Sequence, residues 1–236
     1  MSNLMNKIRT SKIIFNILFI LSEAYAVVTN LLPSKEERIK KNYEAVKKFT
    51  KEDGKEYING QGLGEVATLP FGKKTFSYCG CGAIATYNSL VTLGCKDCLA
   101  DTAKYYETSG LILDGAFGIH PNAVRNYFED VQCDVNVHIL YNSDVDNNYE
   151  KFDEIFKDAK SAILLSWNSV NLKHDNGNFA GMHYVSISHS LDKDGNPRID
   201  VYNAYSKVNH LVHYNSIESY IKTQKILPVV LFTLNK

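Results

Sequence analysis

The sequence lacks the features that mark several large classes of protein. Its 26 basic and 26 acidic residues give a formal net charge of zero, so the positive surface expected of a nucleic-acid-binding protein is missing. No block of five or six like charges occurs, which excludes basic and acidic tails. Five cysteines in 236 residues are too few for a disulfide scaffold, and their odd number leaves at least one of them outside any intrachain disulfide.

What the sequence does contain is typical of a folded domain. Hydrophobic residues make up 44% of the chain and charged residues 22%, which excludes a disordered or collagen-like protein. Helical patterns dominate the first half and alternating patterns the second, so we predict an α+β fold. The predicted helices are 34–49, 82–93, 97–107, 121–130 and 148–159, and the predicted strands are 135–140, 162–167, 182–189, 198–205, 209–214 and 227–234.

The first 26 residues have the layout of a secretion signal. Three basic residues, Lys7, Arg9 and Lys12, precede the apolar run 13–21, and Ala24-Tyr25-Ala26 fits a cleavage site. The segment contains no uninterrupted run of about 18 apolar residues, the length that a spanning helix needs, so we expect no integral membrane span.

The same segment also fits an amphipathic helix that stays on the protein. A polar stripe recurs every seven residues, and apolar residues follow helical spacing on the other side. The stripe is Arg9, Asn16, Glu23 and Asn30, and the apolar set is Ile13, Ile17, Ile20, Ala24, Val27 and Leu31. Because the pattern continues past the cleavage site, we favour the retained helix. Of its two possible positions, we favour packing on the domain over contact with a membrane surface. This interpretation favours a cytoplasmic or membrane-associated location, and the signal interpretation implies secretion.

The most informative stretch runs from Ser77 to Asn88 and reads SYCGCGAIATYN. Cys81 lies between two glycines where a loop turns into a helix. At a helix N-terminus the unpaired N–H groups and the dipole favour the thiolate, which is the nucleophilic form. Spacing alone permits Cys79 or Cys81 as the nucleophile, and a buried structural cysteine at a tight turn is the alternative.

A histidine and an asparagine are predicted to face each other across a hairpin. If the hairpin is centred on residue 193, His183 lies opposite Asn203 on one face, and Val185 lies opposite Val201. The Asn203 side-chain carbonyl would then accept the imidazole Nδ1–H, leaving Nε2 toward a nucleophile. A register slip of one residue would remove this pairing.

These segments resemble the papain-like cysteine peptidase superfamily. The motifs are Cys81-Gly82-x-x-Ala85, Gly181-Met182-His183-Tyr184-Val185 and Val201-Tyr202-Asn203. They are most similar to the bacteriocin-processing, double-glycine-leader peptidases and their stand-alone bacterial relatives. The resemblance covers the chain from about residue 70 to residue 235.

The resemblance implies a two-lobed fold, in which a helical lobe carries the nucleophile helix and a C-terminal antiparallel sheet lobe carries the base. It implies a nucleophile at Cys81, a general base at His183 and an orienting residue at Asn203. The reaction would be hydrolysis of a peptide bond through a thioester, on a peptide or protein substrate, with neither a metal nor an organic cofactor. We expect a peptidase domain over 61–236, preceded by a helical extension over 1–60 that includes the alternative signal peptide 1–26.

One feature of the family is missing. Such peptidases usually carry a glutamine about six residues before the nucleophile, where it donates to the oxyanion. Here that region reads Lys73-Lys74-Thr75-Phe76, and the nearest upstream glutamine is Gln61. Loss of one such donor typically costs about 10²–10³-fold in rate. Two alternatives to the peptidase therefore stay open: an acyltransferase or amidase of the same fold, and a catalytically weakened peptide-binding module.

Four cysteines also have the spacing of a zinc site. Cys79, Cys81, Cys95 and Cys98 form C-x-C and C-x-x-C pairs. The helix between the pairs would hold them about 20 Å apart at about 1.5 Å per residue, so we expect no metal.

Other residues are expected near the cleft. The polar loop 171–180 leads directly into His183 and is expected to border it. Trp167 is a candidate wall of the substrate site, with core packing as the alternative. His120 is a second candidate cleft histidine, with a plain loop position as its alternative.

Overall fold

The computed structural model describes residues 12–49, 56–95, 98–139, 149–167, 181–204 and 211–236. The helices in these ranges are α1 (Lys12–Asn30), α2 (Pro33–Phe49), α3 (Phe76–Cys79), α4 (Cys81–Leu93), α5 (Leu99–Thr108), α6 (Pro121–Asp130), α7 (Glu150–Phe156) and α8 (Ile217–Gln224). Short 3-10 turns cover Glu65–Thr68 and Ile112–Gly115.

The strands in the same described ranges form two antiparallel sheets. The strands are β1 (Pro70–Phe71), β2 (Lys74–Thr75), β3 (Asp134–Ile139), β4 (Ser161–Trp167), β5 (Met182–Leu191), β6 (Pro197–Tyr202), β7 (Val212–Tyr214) and β8 (Leu227–Asn235). The first two form a small ribbon, and the other six form a sheet in the order β3-β8-β4-β5-β6-β7. A helical N-terminal part followed by an antiparallel sheet confirms the predicted α+β class.

The large sheet separates two cores, because successive side chains of a strand point to opposite faces. On one face, Tyr184, Ile163 and Phe232 belong to the core that includes α4. On the other face, Val185 and Ile187 belong to the core that includes α7 and α8.

Helix α4 lies close to the sheet because its first turns carry small residues. A Cβ atom at Gly82 would lie 3.0 Å from Ile119 Cδ1 and 3.3 Å from Tyr184 Cδ2, so no larger residue fits there without a shift. The helix ends at Gly94, whose φ of 69° is the left-handed conformation that glycine adopts readily.

Buried hydroxyl groups also join α4 to the sheet. Ser89 Oγ lies 2.9 Å from Ser186 Oγ, and Ser161 Oγ donates to Ser89 Oγ at 3.1 Å. All three serines are fully buried, so the hydroxyl groups satisfy one another in the absence of solvent.

The β5–β6 hairpin has a different register from the predicted one. Ile187 pairs with Val201 and Ser186 with Tyr202, which centres the hairpin on residue 194 instead of 193. The cause lies in the loop 192–196, where the Asp192 carboxylate accepts the N–H groups of residues 194 and 196 at 2.8 Å each. The predicted pairing of His183 directly opposite Asn203 is therefore wrong, although a shift of two residues keeps every side chain on its predicted face.

Helix α1 is present, but it faces the opposite way from the predicted packed helix. Its polar side contacts the body of the protein: Tyr25 Oη donates to Asp114 at 2.8 Å, Asn30 Nδ2 donates to the Thr108 carbonyl, and Ser109 Oγ donates to Glu23. The predicted apolar face is turned outward, with Ile13 71%, Ile20 65%, Val27 66% and Leu31 81% exposed.

One further helix differs from the sequence prediction. Helix α8 was not predicted; its start is capped by Ser216 and Ser219, which bond reciprocally with each other's main chain. The predicted ends of strands at 140, 205 and 209–210 lie outside the described residues.

Candidate active site

Cys81 is the first residue of α4, and its sulfur contacts the start of β5. Gly80, the residue before the helix, makes no side-chain hydrogen bond that caps the helix N-terminus. Burial raises the pKa of the Cys81 thiol, and the main-chain N–H groups of Tyr184 and Gly82 partly oppose this by hydrogen-bonding to the sulfur. The thiolate expected from the helix N-terminus is therefore not the resting form, because burial outweighs the helix terminus.

His183 immediately precedes the Tyr184 amide that contacts this sulfur. Its Nε2 lies 2.7 Å from the main-chain carbonyl oxygen of Asn203. A carbonyl only accepts, so Nε2 carries the hydrogen and Nδ1 keeps the basic lone pair. Burial lowers the pKa of His183, although the hydrogen bond to Asn203 opposes the shift. At neutral pH the site thus holds a neutral imidazole and a neutral thiol.

This geometry changes the predicted role of Asn203 in two respects. The acceptor for the imidazole is the main-chain oxygen instead of the side-chain oxygen, and the ring nitrogen facing it is Nε2 instead of Nδ1. The structure brings His183 and Asn203 together, and it brings the Cys81 sulfur to the peptide that links His183 with Tyr184.

The left-handed conformation of Asn203, with a φ of 56°, turns its carbonyl toward His183. Three hydrogen bonds hold this conformation. Asn203 N donates to Asn59 Oδ1 at 2.9 Å, Gln61 N donates to Asn203 Oδ1 at 3.0 Å, and Asn203 Nδ2 donates to Gln61 Oε1 at 3.0 Å. Asparagine tolerates this conformation better than most residues.

Gln61 links the two halves of the site, a role that no pattern in the sequence predicted. Besides its bonds to Asn203, its Nε2 donates to the main-chain oxygens of Phe76 and Ser77, at 3.2 and 3.3 Å. The side chain therefore connects the segment before Cys81 with the residue that holds His183. The separation of 142 residues between Gln61 and Asn203 leaves no local pattern by which the pair could be found.

The other cysteines do not surround Cys81. Cys79 is buried against the main-chain oxygens of Phe71 and Thr75, and burial raises its pKa to about 12. Cys98 donates to Asp101 at 2.9 Å, and Cys95 lies beside Cys133. Among the described residues, no group of three or more His, Cys, Asp and Glu side chains is arranged to hold a metal ion.

The other two residues predicted to lie near the cleft, His120 and Trp167, lie at the ends of secondary-structure elements. His120 caps α6, because its Nδ1 accepts the Asn122 N–H, and the ring of Phe19 lies 4.6 Å away. Trp167 ends β4 beside Met182 and Leu227 and packs partly against the core. The predicted cleft loop 171–180 lies outside the described residues.

A pocket of about 460 Å³ lies at the other end of the β5–β6 hairpin, and none of Cys81, His183 and Asn203 lines it. Its walls include Tyr57, Lys160, His189 and Asp200. The Asp200 carboxylate there already binds Ser190 Oγ and His213 Nδ1. Because the walls mix both charges, they specify no single ligand, and we base the candidate site on Cys81.

Comparison with known proteins does not assign this chain to a family. No protein-family model matches the chain, and no curated protein is similar to it.

Proposed function

We propose that this chain is a papain-like thiol hydrolase that cleaves peptide bonds with Cys81 as nucleophile. The observation that carries the proposal is the contact of the buried Cys81 sulfur with the Tyr184 amide, directly after a histidine whose Nε2 is fixed on the Asn203 carbonyl. A fixed Nε2–H leaves Nδ1 as the base, which is what activation of a neutral thiol requires.

The proposed reaction begins from the neutral pair. His183 Nδ1 takes the thiol proton as the sulfur attacks the substrate carbonyl, and the imidazolium that forms is stabilised by the Asn203 oxygen on Nε2–H. His183 then gives the proton to the leaving amine, and water hydrolyses the thioester. The uncapped main-chain N–H groups at the start of α4 are the proposed donors to the oxyanion. Gln61 is a positioning residue, because its amide is already bonded at both ends.

One observation favours the alternative of a peptide-binding module. Burial raises the pKa of Cys81, and an inert buried thiol has the same property. The two functions therefore need an experiment that reports turnover and not only thiol reactivity.

A peptide library, read by mass spectrometry for new amino termini, separates the two functions. We expect turnover by the wild-type chain and by Cys79→Ala, and none by Cys81→Ala or His183→Gln, with folding of each variant checked by circular dichroism. Turnover that survives Cys81→Ala contradicts the choice of nucleophile. Binding of peptides without any turnover by the wild-type chain supports the module.

We also propose that the outward face of α1 lies on an anionic membrane surface. The exposed apolar residues extend over about 30 Å of helix, and a strip about 10 Å wide covers about 300 Å², well below the roughly 800 Å² per partner of a stable protein interface. Residues 1–22 carry three basic side chains and no acidic one, and the first acidic residue, Glu23, bonds Ser109 on the body. Such a face combines apolar contact with attraction to anionic lipid.

Within the described ranges, no single helix has the length and apolarity for a membrane crossing, although Asn16–Asn30 and Pro33–Phe49, bent by 99°, meet these criteria as a pair.

Co-sedimentation with phosphatidylcholine vesicles, with and without phosphatidylglycerol, tests surface binding. We expect binding that needs phosphatidylglycerol and falls at least about tenfold in Ile17→Asp/Ile20→Asp. Leu191→Asp, at an exposed position on β5, is the control that keeps binding. Equal binding by both variants, or a purified chain that begins at Val27, contradicts the proposal.

A further inference from the structure

Two of the five cysteines have their sulfurs side by side. Cys95 Sγ and Cys133 Sγ lie 3.8 Å apart, although the residues are 38 positions apart in the chain. The other three sulfurs have different neighbours: Cys81 contacts the Tyr184 amide, Cys79 lies against main-chain oxygens, and Cys98 binds Asp101. Among the cysteines, all of which are thiols here, this pair is singled out by geometry.

The main chain on both sides of the pair is held in place. Cys95 follows the glycine that ends α4, and its N–H donates to the Leu90 carbonyl at 2.9 Å. Cys133 follows the end of α6, and its N–H donates to the Phe128 carbonyl at 2.9 Å. A disulfide needs sulfurs about 2.05 Å apart, so each sulfur has to move by only about 1 Å, a displacement that side-chain rotation provides without unfolding either helix end.

We propose that Cys95 and Cys133 form an intrachain disulfide when the protein meets an oxidising thiol–disulfide couple. The Cys95 thiolate attacks one sulfur of glutathione disulfide, which releases one glutathione and leaves a mixed disulfide. The Cys133 thiolate then attacks Cys95 in that mixed disulfide and releases the second glutathione. Two protein thiols are oxidised, one glutathione disulfide is reduced, and two protons pass to the two glutathione thiolates.

The order of attack follows from exposure. Cys95 is half-buried, whereas Cys133 is only 6% exposed, so the small disulfide reaches Cys95 first and Cys133 resolves the intermediate. The product joins the end of the nucleophile helix α4 to the segment between α6 and β3. Cys81 keeps its thiol throughout, so oxidation of this pair and a reactive Cys81 are compatible in the same molecule.

The test is peptide mapping after equilibration of the full chain with glutathione disulfide, alkylation of the remaining thiols and sequential digestion with trypsin and chymotrypsin. Cleavage after Lys96 separates Cys95 from Cys98, and cleavage after Leu93 separates it from Cys79 and Cys81. We expect one linked pair of peptides, containing Cys95 and Cys133, and loss of two of the five thiols per chain.

Matched variants make the result decisive. Cys98→Ser keeps the linked pair, and both Cys95→Ser and Cys133→Ser lose it. Cys133→Ser should instead carry one glutathione on Cys95, because the resolving thiol is missing, whereas Cys95→Ser should keep Cys133 reduced. The oxidised wild-type chain should unfold at a higher denaturant concentration than its reduced form, and neither serine variant should show this difference. A chain that keeps all five thiols, a link through Cys79 or Cys98, or a link only between two chains overturns the proposal.

Discussion

At Asn203, the main chain and the side chain have separate tasks. The main-chain oxygen accepts from His183, while the side chain bonds Gln61 and so maintains a φ of 56°. Substitution of Asn203 can tell which of its oxygens matters to His183. Glycine adopts the left-handed conformation easily and would keep the main-chain oxygen in place, whereas alanine disfavours that conformation. If the side-chain oxygen were the acceptor, both substitutions would remove it.

We predict that Asn203→Gly keeps about tenfold more kcat/KM than Asn203→Ala, on a peptide identified from the library. The reason is the cost of about 1–2 kcal/mol for a left-handed alanine. The ¹⁵N shifts of His183 give a second measurement: the Nε2–H tautomer should persist in the glycine variant and weaken in the alanine variant. Equal loss in both variants would place the acceptor on the side chain after all.

The role of Gln61 can be tested by replacing one atom, its side-chain nitrogen Nε2, with oxygen. In Gln61→Glu the donor to the Phe76 and Ser77 carbonyls becomes an oxygen, while the acceptor for Asn203 remains. We expect the free energy of unfolding to fall by about 1–2 kcal/mol at pH 7. The loss should be smaller near pH 4, where a protonated carboxyl group can donate again.

Urea unfolding at both pH values measures the effect. Gln132→Glu, at an exposed position, is the control for an added charge. A loss that is the same at both pH values would show that the donated bonds do not hold this segment.

At the scale of elements, the contact of α4 with the sheet combines small residues with the buried hydroxyl groups. Ser89→Ala leaves the Ser186 hydroxyl without its partner in α4, so we expect a loss of about 1–2 kcal/mol in the free energy of unfolding. Ser89→Ala/Ser186→Ala should cost less than the sum of the single changes, since neither hydroxyl of this pair then remains without its partner, and Ser161 Oγ still donates to the Ile187 carbonyl. Urea denaturation of the four proteins measures the coupling, and strict additivity would contradict it.

The sequence predicted elements better than their contacts. The bounds of α4 and α6 followed from glycine at one end or proline at the other, which act within a few residues. The register of β5–β6 depended on the hydrogen bonds of one aspartate in the loop 192–196, which composition does not reveal. The face of α1 was predicted wrongly, because periodicity locates an apolar stripe but does not say what covers it.

The candidate site, too, could be predicted from the sequence only in part. Cys81 and its helix could be recognised locally, since glycines on both sides and a helical pattern lie next to the residue. The contact of Asn203 with Gln61, and the main-chain acceptor for His183, arise from the meeting of segments distant in the chain. Such contacts depend on the whole fold.

At the scale of the whole molecule, one buried carboxyl group should contribute to the pH dependence of stability. Glu107 in α5 is 3% exposed and bonds the side-chain amide of Asn42, and burial raises its pKa to about 7. Between the ordinary pKa of about 4.3 and this value, the unfolded chain releases a proton that the folded chain keeps. The folded state therefore loses stability as the pH rises through this window.

We predict that Glu107→Gln removes this loss. The wild-type chain should lose roughly 3 kcal/mol relative to the variant between pH 4 and pH 8, because a shift of this size corresponds to about that free energy. Urea unfolding of both proteins across the range gives the difference, in which the contributions of the other titrating groups cancel. A constant difference would mean that Glu107 is ionised in the folded protein.

The position of β8 affects how the protein folds while it is being synthesised. This strand follows the other described strands in the sequence, yet it lies between β3 and β4 and contributes to both cores. While residues 227–235 are still inside the ribosome, a nascent chain cannot pair β3 with the rest of the sheet, and its apolar strands stay exposed. The six-stranded sheet is therefore complete only after translation has delivered β8, and until then β3 and β4 lack the strand that lies between them.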